Sequence, residues 1–269
     1  MKVPPFKLDL WLAAHEFATP PIRYNLASST GPLWTFAELM SLGGGSATSL
    51  EDVRLSYAPP QGGKLLRERI ATLHGVDPEQ VLVMTGASEA LIALICFFAG
   101  DGGSIVLPKP VYPAVPVLAR TFGLNVREYS LRRELGFAQT AEQVLALVDD
   151  KSRAVFVNTP HNPTGSVMAV GEQRKLAEAL AARSIPLIVD EVYHPLYFWE
   201  MCRAQARCPI PSCSATLPRR SPSRDCVSAG SSIATRSGAR RCSTCAAISR
   251  FQVRRSPRRW APTRWRTRP

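Results

Sequence analysis

Residues 152–166 read SRAVFVNTPHNPTGS. The segment 153–157 is a short, mainly apolar run bounded by turn signals, the pattern of a strand buried on both faces. The residues after it cannot continue it. Pro160, Pro163 and Gly165 fix a rigid turn. That turn aims Asn162, whose amide both donates and accepts, toward the end of the strand. His161 beside it reads as a loop residue.

The flanking sequence repeats this unit. Downstream, a helix is expected over 171–183 and a strand over 186–189. Upstream, a helix is expected over 141–148, a strand over 125–129, a helix over 112–121 and a strand over 104–107. Before these come a buried helix over 88–99, a strand over 81–84 and a helix over 64–74, whose Leu65, Leu66, Ile70 and Leu73 are apolar. Strands alternating with helices of this length predict an α/β fold, with a mostly parallel sheet and helices on both faces. Nearer the start, 8–17 reads as an amphipathic helix with Leu8, Trp11, Leu12 and His15 on one face, and 35–42 as another. The triple glycine at 43–45 reads as a helix stop and hinge, because no strand precedes it as a phosphate cradle requires.

Composition divides the chain of 269 residues in two. Residues 1–199 carry 17 Lys+Arg and 19 Asp+Glu, a net −2. Residues 200–269 carry 16 Arg, no Lys, and only Glu200 and Asp225 as acids, a net +14. Six of the seven cysteines also lie there. The basic balance therefore belongs to the tail and says nothing about partners of the body. No apolar run reaches the roughly 18 residues of a spanning helix. The opening lacks a signal peptide's order of basic start, apolar core and small-residue cleavage site. A cytoplasmic protein is expected, with no membrane partner.

In parallel sheets, ligands sit beyond the carboxyl ends of the strands. Four segments lie there. TGASEA, 85–90, opens a helix with small residues, and its free N–H groups suit a phosphate; an ordinary N-cap by Ser88 is the plainer alternative. PKPVYPAV, 108–115, holds Tyr112 between prolines, as a stacking surface or as a ring packed at a turn. NTPHNPTGS supplies Asn162. DEVY, 190–193, ends an apolar strand in Asp190. That carboxylate either caps the next turn or, if buried, needs a cationic or hydrogen-bonding partner; Tyr193 follows it. Together they describe a ligand with a phosphate, a flat ring, a cationic ring nitrogen and a ring oxygen, as in pyridoxal phosphate.

With YAPPQGGKLLRERIA at 57–71, these motifs in this order resemble the large domain of the class I/II aminotransferases, fold-type I enzymes that use pyridoxal 5′-phosphate. The resemblance divides the chain into an N-terminal arm and entry segment at 1–45, a partial pyridoxal phosphate-binding large domain at 46–199, and an Arg/Pro/Ser/Cys-rich tail at 200–269, expected to be unstructured. It implies that the backbone amides of Ala87 and Ser88 hold the phosphate and that Tyr112 stacks on the ring. Asp190 would pair with the ring nitrogen, which makes the ring an electron sink. Asn162 and Tyr193 would bond the ring oxygen. Tyr57 would reach the phosphate of a neighbouring subunit, so a homodimer is implied. In ASSTGPLW, 27–34, Gly31 would lie near the substrate carboxylate. The implied activity is amino-group transfer between an amino acid and a 2-oxo acid, in amino acid metabolism. The substrate side chain is not readable from the sequence.

The pattern then breaks. The family's Schiff-base lysine, which also shuttles the proton, should follow Tyr193 by roughly thirty residues. SPSRDCVSAG stands there, at 221–230, and no lysine follows Lys175. Arginine stays protonated and cannot replace it. No catalytic residue is therefore assigned, and the chain is expected to be inactive or severely impaired. Nor does the tail show the two further strands that the family's sheet gains after DEVY. Its composition best matches a reading-frame shift near codon 200, since GC-rich DNA read out of frame yields Arg, Pro, Ser, Ala, Cys and Trp. An Arg-rich nucleic-acid arm is the alternative. A metal site at CSTC, 242–245, lacks a second clean Cys pair and any His, and no metal is expected.

Overall fold

The computed structural model describes residues 5–16, 18–24, 34–42, 55–99, 102–194 and 248–249. In chain order the elements are α1 (Lys7–Glu16), α2 (Phe36–Leu42), α3 (Lys64–His74), β1 (Leu82–Val83), α4 (Ala87–Phe98), β2 (Ser104–Lys109), α5 (Ala114–Thr121), β3 (Asn125–Ser130), α6 (Ala141–Leu145), β4 (Ser152–Asn158), α7 (Val170–Ala182), β5 (Leu187–Asp190) and β6 (Ile248–Ser249). Short 3-10 turns at Pro78–Gln80 and Arg133–Leu135 complete the list.

Strands β2 to β5 form a four-stranded, wholly parallel sheet in the order β3-β2-β4-β5. The pleat sends alternate side chains to opposite faces. On one face Ile105, Leu107, Ala154, Phe156 and Ile188 pack against Leu91, Leu94 and Ile95 of α4 and Val115 and Ala119 of α5. On the other, Val106, Val155, Val157, Leu187 and Val189 pack against Val144 of α6 and Leu176 and Leu180 of α7. Both faces are covered, so the central strands read as continuous apolar runs and not as alternating ones. The parallel direction brings Lys109, Asn158 and Asp190 to the same end of the sheet.

Local chemistry sets the element ends. Thr140 and Gln143 form a reciprocal capping box that starts α6 at Ala141, each side-chain oxygen accepting the other residue's N–H at 3.3 Å. That helix stops at Leu145, short of the 148 expected. Helix α5 opens at Ala114 and not at Tyr112, with Pro113 at the N-cap. This leaves Tyr112 in the loop between β2 and α5. In α1, Leu8 and Leu12 are half-buried while Trp11 stays exposed and stacks on His15 at 4.3 Å between ring centroids.

One expectation is corrected. The strand expected over 81–84 is only Leu82–Val83 and does not join the parallel sheet. It pairs antiparallel with Ile248–Ser249. The physical sign is burial: Leu82 and Val83 are half-buried, whereas strands of a doubly covered sheet are buried on both faces. Val83 belongs to a satellite cluster with Leu66, Ile70, Ala71, Val76 and Val81 on and after α3.

The turn before α3 is fixed by glycine. Gly62 has φ +96°, and a Cβ there would meet Val83 Cβ at 2.5 Å. Gly62→Ala is expected to cost about 1–3 kcal/mol, read by urea unfolding. Gly171→Ala, in α7 with open space around it, should act in the opposite direction by up to about 1 kcal/mol. Equal effects from the two would contradict the packing of this turn on β1.

Candidate active site at the carboxyl ends of the strands

Strand β4 ends at Asn158 and β5 at Asp190, and the two residues are paired in register. The Asp190 carbonyl accepts the Thr159 N–H at 2.9 Å and the Asn158 amide at 2.9 Å. The Asp190 side chain is buried, 7% exposed, and accepts the Val192 N–H at 3.1 Å. Among the described residues no cationic side chain pairs with it. Burial therefore pushes its carboxyl up to about 6, with the Val192 N–H opposing. A carboxylate held this way is matched to a cation that arrives with a ligand.

The turn after β4 folds back on itself. Gly165 N–H donates to the His161 carbonyl at 2.7 Å, and His161 N–H to the Ser166 carbonyl at 2.8 Å. Gly165 takes φ +73°, which a glycine adopts without strain. His161 is 2% exposed, and its Nδ1 lies 2.8 Å from Thr164 Oγ1. Burial holds its imidazole below the ordinary value, opposed by the Pro110 carbonyl, so it is neutral near pH 7. It is the buried centre of the turn. The turn presents Asn162, whose Nδ2 donates to the Tyr193 phenol oxygen at 3.3 Å. The amide and phenol expected to serve one ring oxygen thus meet across the gap between two strand ends.

Tyr112 faces the same space. Its phenol is raised, chiefly by burial, then by the nearby Asp9 charge; the Ser88 hydroxyl lowers it, and Tyr193 and Asp190 raise it further. Those influences place Tyr112 within hydrogen-bonding reach of Ser88 and within electrostatic reach of Tyr193 and Asp190. Phe6, just before α1, sets its ring edge-on to the Tyr112 ring at 5.8 Å. Helix α4 starts at Ala87 after Gly86 at φ +88°, with no side-chain cap. Ser88 is therefore inside the helix and is not its N-cap. The first N–H groups of a helix have no partner within it, so those of Ala87 and Ser88 are available to an anion.

Six of the residues expected from sequence, Ala87, Ser88, Tyr112, Asn162, Asp190 and Tyr193, thus lie at the ends of β1, β2, β4 and β5 or on the segments that follow them. Tyr57 does not join them: it is fully exposed within the chain. Gly31 lies outside the described residues. Lys64, Lys109 and Lys175 pair with Glu68, Glu128 and Glu172, and Lys151 lies at the opposite end of the sheet, its carbonyl accepting the N–H of Ser104 at the start of β2.

Sequence reasoning missed Phe6, Asn158 and Gln139. Asn158 carried a legible signal, a polar residue ending an apolar strand, as Asp190 does. Its pairing with Asp190 is a matter of register between distant segments.

The donor set fits pyridoxal phosphate in part. It offers helix N–H groups for a phosphate, an aromatic ring, a buried carboxylate for a ring cation and an amide–phenol pair for a ring oxygen. Comparison with known proteins agrees. A sequence model of the family described as aminotransferase class I and II matches residues 46–239, and the match runs on into the Arg-rich stretch. The chain is 36% identical over 148 residues to the arginine–pyruvate transaminase of Pseudomonas aeruginosa, covering 53% of this chain and 38% of that protein. It is 28% identical over 193 residues to the tyrosine aminotransferase of Dictyostelium discoideum, covering 68% and 46%. Among solved structures, an aminotransferase from Mycobacterium tuberculosis superposes with TM-score 0.65 at 27% identity, over 85% of this chain and 57% of that one. A Thermus thermophilus aspartate aminotransferase double mutant gives 0.62 at 26%, over 74% and 53%. The chain spans less than half the length of these curated relatives. Aminotransferases of this family depend on pyridoxal 5′-phosphate. No helix among the described residues is long and apolar enough to cross a membrane. With a family match over most of its length and the matching residues gathered at one end of a parallel sheet, the chain belongs to the class I and II aminotransferases.

Proposed function

We propose that the chain binds pyridoxal phosphate at the strand ends but does not carry out amino-group transfer between an amino acid and a 2-oxo acid at a normal rate. The observation that carries the first half is Asp190, a buried carboxylate with no cation paired to it among the described residues, beside the Asn162–Tyr193 pair. The second half rests on the sequence: no lysine follows Lys175. When bound, the cofactor supplies an electron-accepting ring that eases removal of a substrate proton. The chain's own residues bind and orient. The N–H groups of Ala87 and Ser88 hold the phosphate, Tyr112 covers one ring face, Asp190 holds the proton on the ring nitrogen, and Asn162 and Tyr193 bond the ring oxygen. No group is assigned to move the substrate proton, which is the step the family's lysine performs.

The exposed Tyr57 supports a homodimer in which it serves the site of a second copy. The 16 arginines of 200–269 support two readings of that segment, a shifted reading frame or a phosphate-binding arm. Sequencing the coding DNA from codon 190 distinguishes them: a Ser-x-x-Lys-like stretch in another frame supports the shift. Tight, steeply salt-dependent DNA binding by the whole chain supports the arm.

Titration of the chain with pyridoxal phosphate, followed by borohydride reduction, tests the main reading. Saturable binding without a stoichiometric lysine adduct and without turnover is expected. A stoichiometric adduct at one lysine together with transaminase turnover would sink the second half of the proposal. No saturable binding would sink the first.

A further inference from the structure

Asn158 is fully buried at the end of β4 and joins both halves of the site. Its Oδ1 accepts the backbone N–H of Asn162 at 2.6 Å, and its Nδ2 donates to the Asp190 carbonyl at 2.9 Å. Its own carbonyl accepts from Gln139 Nε2 at 3.0 Å, and Gln139 Oε1 accepts from the Tyr129 phenol at 3.1 Å. Gln139 and Tyr129 are buried too. Burial holds the Tyr129 phenol far above its ordinary value, so it remains a protonated donor. The chain of bonds therefore runs from β3 through the 139 position and β4 to β5 and the 158–166 turn.

The chemistry of the position is restrictive. An N–H on one side demands an acceptor, and a carbonyl on the other demands a donor. This also fixes which way round the amide lies. Aspartate offers only acceptors when ionised, and leucine offers neither group. Glutamine adds a methylene where close packing leaves no exposed space.

We propose that Asn158 is a positioning residue. It clamps the backbone of Asn162 to the backbone of Asp190, and so sets the separation of the side chains that would hold the ring oxygen and the ring nitrogen of pyridoxal phosphate. The role rests on the cofactor reading above, but the clamp itself is testable without cofactor.

The test uses the full chain, isotopically labelled, and follows amide hydrogen exchange. In Asn158→Ala the Asn162 N–H should exchange on the order of 10- to 100-fold faster, the loss expected when a buried donor loses its partner. Core amides of Ile105 and Val155 should change by less than about threefold, since the opening is local. Asn158→Asp keeps an acceptor for Asn162, and the Asp190 carbonyl keeps its bond from Thr159. That variant should retain the Asn162 protection. Uniform acceleration of all amides in Asn158→Ala would show general destabilisation and overturn the clamp. Should Asn158→Ala not fold, Asn158→Asp decides, because it keeps the acceptor for Asn162 and loses the donor to Asp190: retained Asn162 protection with weakened pyridoxal phosphate binding supports the clamp, and loss of that protection or wild-type affinity overturns it. Pyridoxal phosphate titration completes the test. Asn158→Ala should bind roughly 10- to 100-fold more weakly than the wild type. Wild-type affinity in a variant that has lost Asn162 protection would overturn the positioning role. If the wild type binds no pyridoxal phosphate, the cofactor reading fails, and the exchange result still judges the clamp.

Discussion

Asp190→Asn is expected to stabilise the cofactor-free chain by about 1–3 kcal/mol near pH 8 and to weaken its hold on pyridoxal phosphate. The reason is the carboxyl's burial. In the unfolded chain it titrates near its ordinary 3.8; in the folded chain it is raised to about 6. Between those values the folded state binds more protons than the unfolded one. Stability is therefore full below the lower value, falls as pH rises through the window, and stays lost above the upper one. The shift corresponds to on the order of 3 kcal/mol, and an asparagine without partners for its extra N–H groups recovers only part of it. The gain should shrink as pH falls from about 6 to about 4, where the wild-type side chain is protonated as well. Urea unfolding of both proteins across this range reads the effect directly. An equal gain at both ends would mean that Asp190 is not held as a costly anion. The cofactor side has the opposite sign. A ring cation offsets the cost in the wild type, so wild-type affinity should rise with pH through about 6, and the neutral variant should lose that dependence.

Phe156→Ala should remove about 3–5 kcal/mol, comparable with the whole stability of many domains. Phe156 is fully buried on β4, between β2 and β5. Its ring fills the layer bounded by Leu94 and Ile95 of α4, Val115 of α5, and Ile105, Leu107 and Ile188 of the sheet. Truncation loses the transfer energy of the ring and leaves a cavity that two helices and three strands cannot close together. Phe97→Ala is the control. Phe97 sits on α4 but is 49% exposed, and its removal should cost far less. Thermal or urea unfolding compares them. Similar losses would mean that α4 does not pack through the face containing Leu91, Leu94 and Ile95. Both tests also bear on function, because β4 carries Asn158 and Asn162 from the core to the site.

Much of this was legible in advance. The helices at 64–74 and 171–183 lie within one residue of their expected bounds, because apolar spacing and glycine stops are local signals. The segments carrying Tyr112, Asn162 and Asp190 were found because each follows an apolar strand of a parallel sheet. What failed was what local sequence does not encode. The 81–84 strand had the right composition, but its partner was decided by the distant 248–249 segment. Asn158 was visible as a residue but not as a clamp, since its bonds reach to positions 139, 162 and 190.

The sequence by itself determined the alternation of strands and helices, the parallel sense of the sheet, the chemical types at the strand ends and the lack of a lysine beyond 175. Those follow from periodicity, turn residues and side-chain chemistry, which act over a few positions at a time. Tertiary structure alone decided the strand order, the pairing of Asn158 with Asp190 and the burial that raises the Asp190 carboxyl. Register and desolvation are properties of segments brought together from far apart in the chain, so no stretch of residues carries them until the core has closed around it.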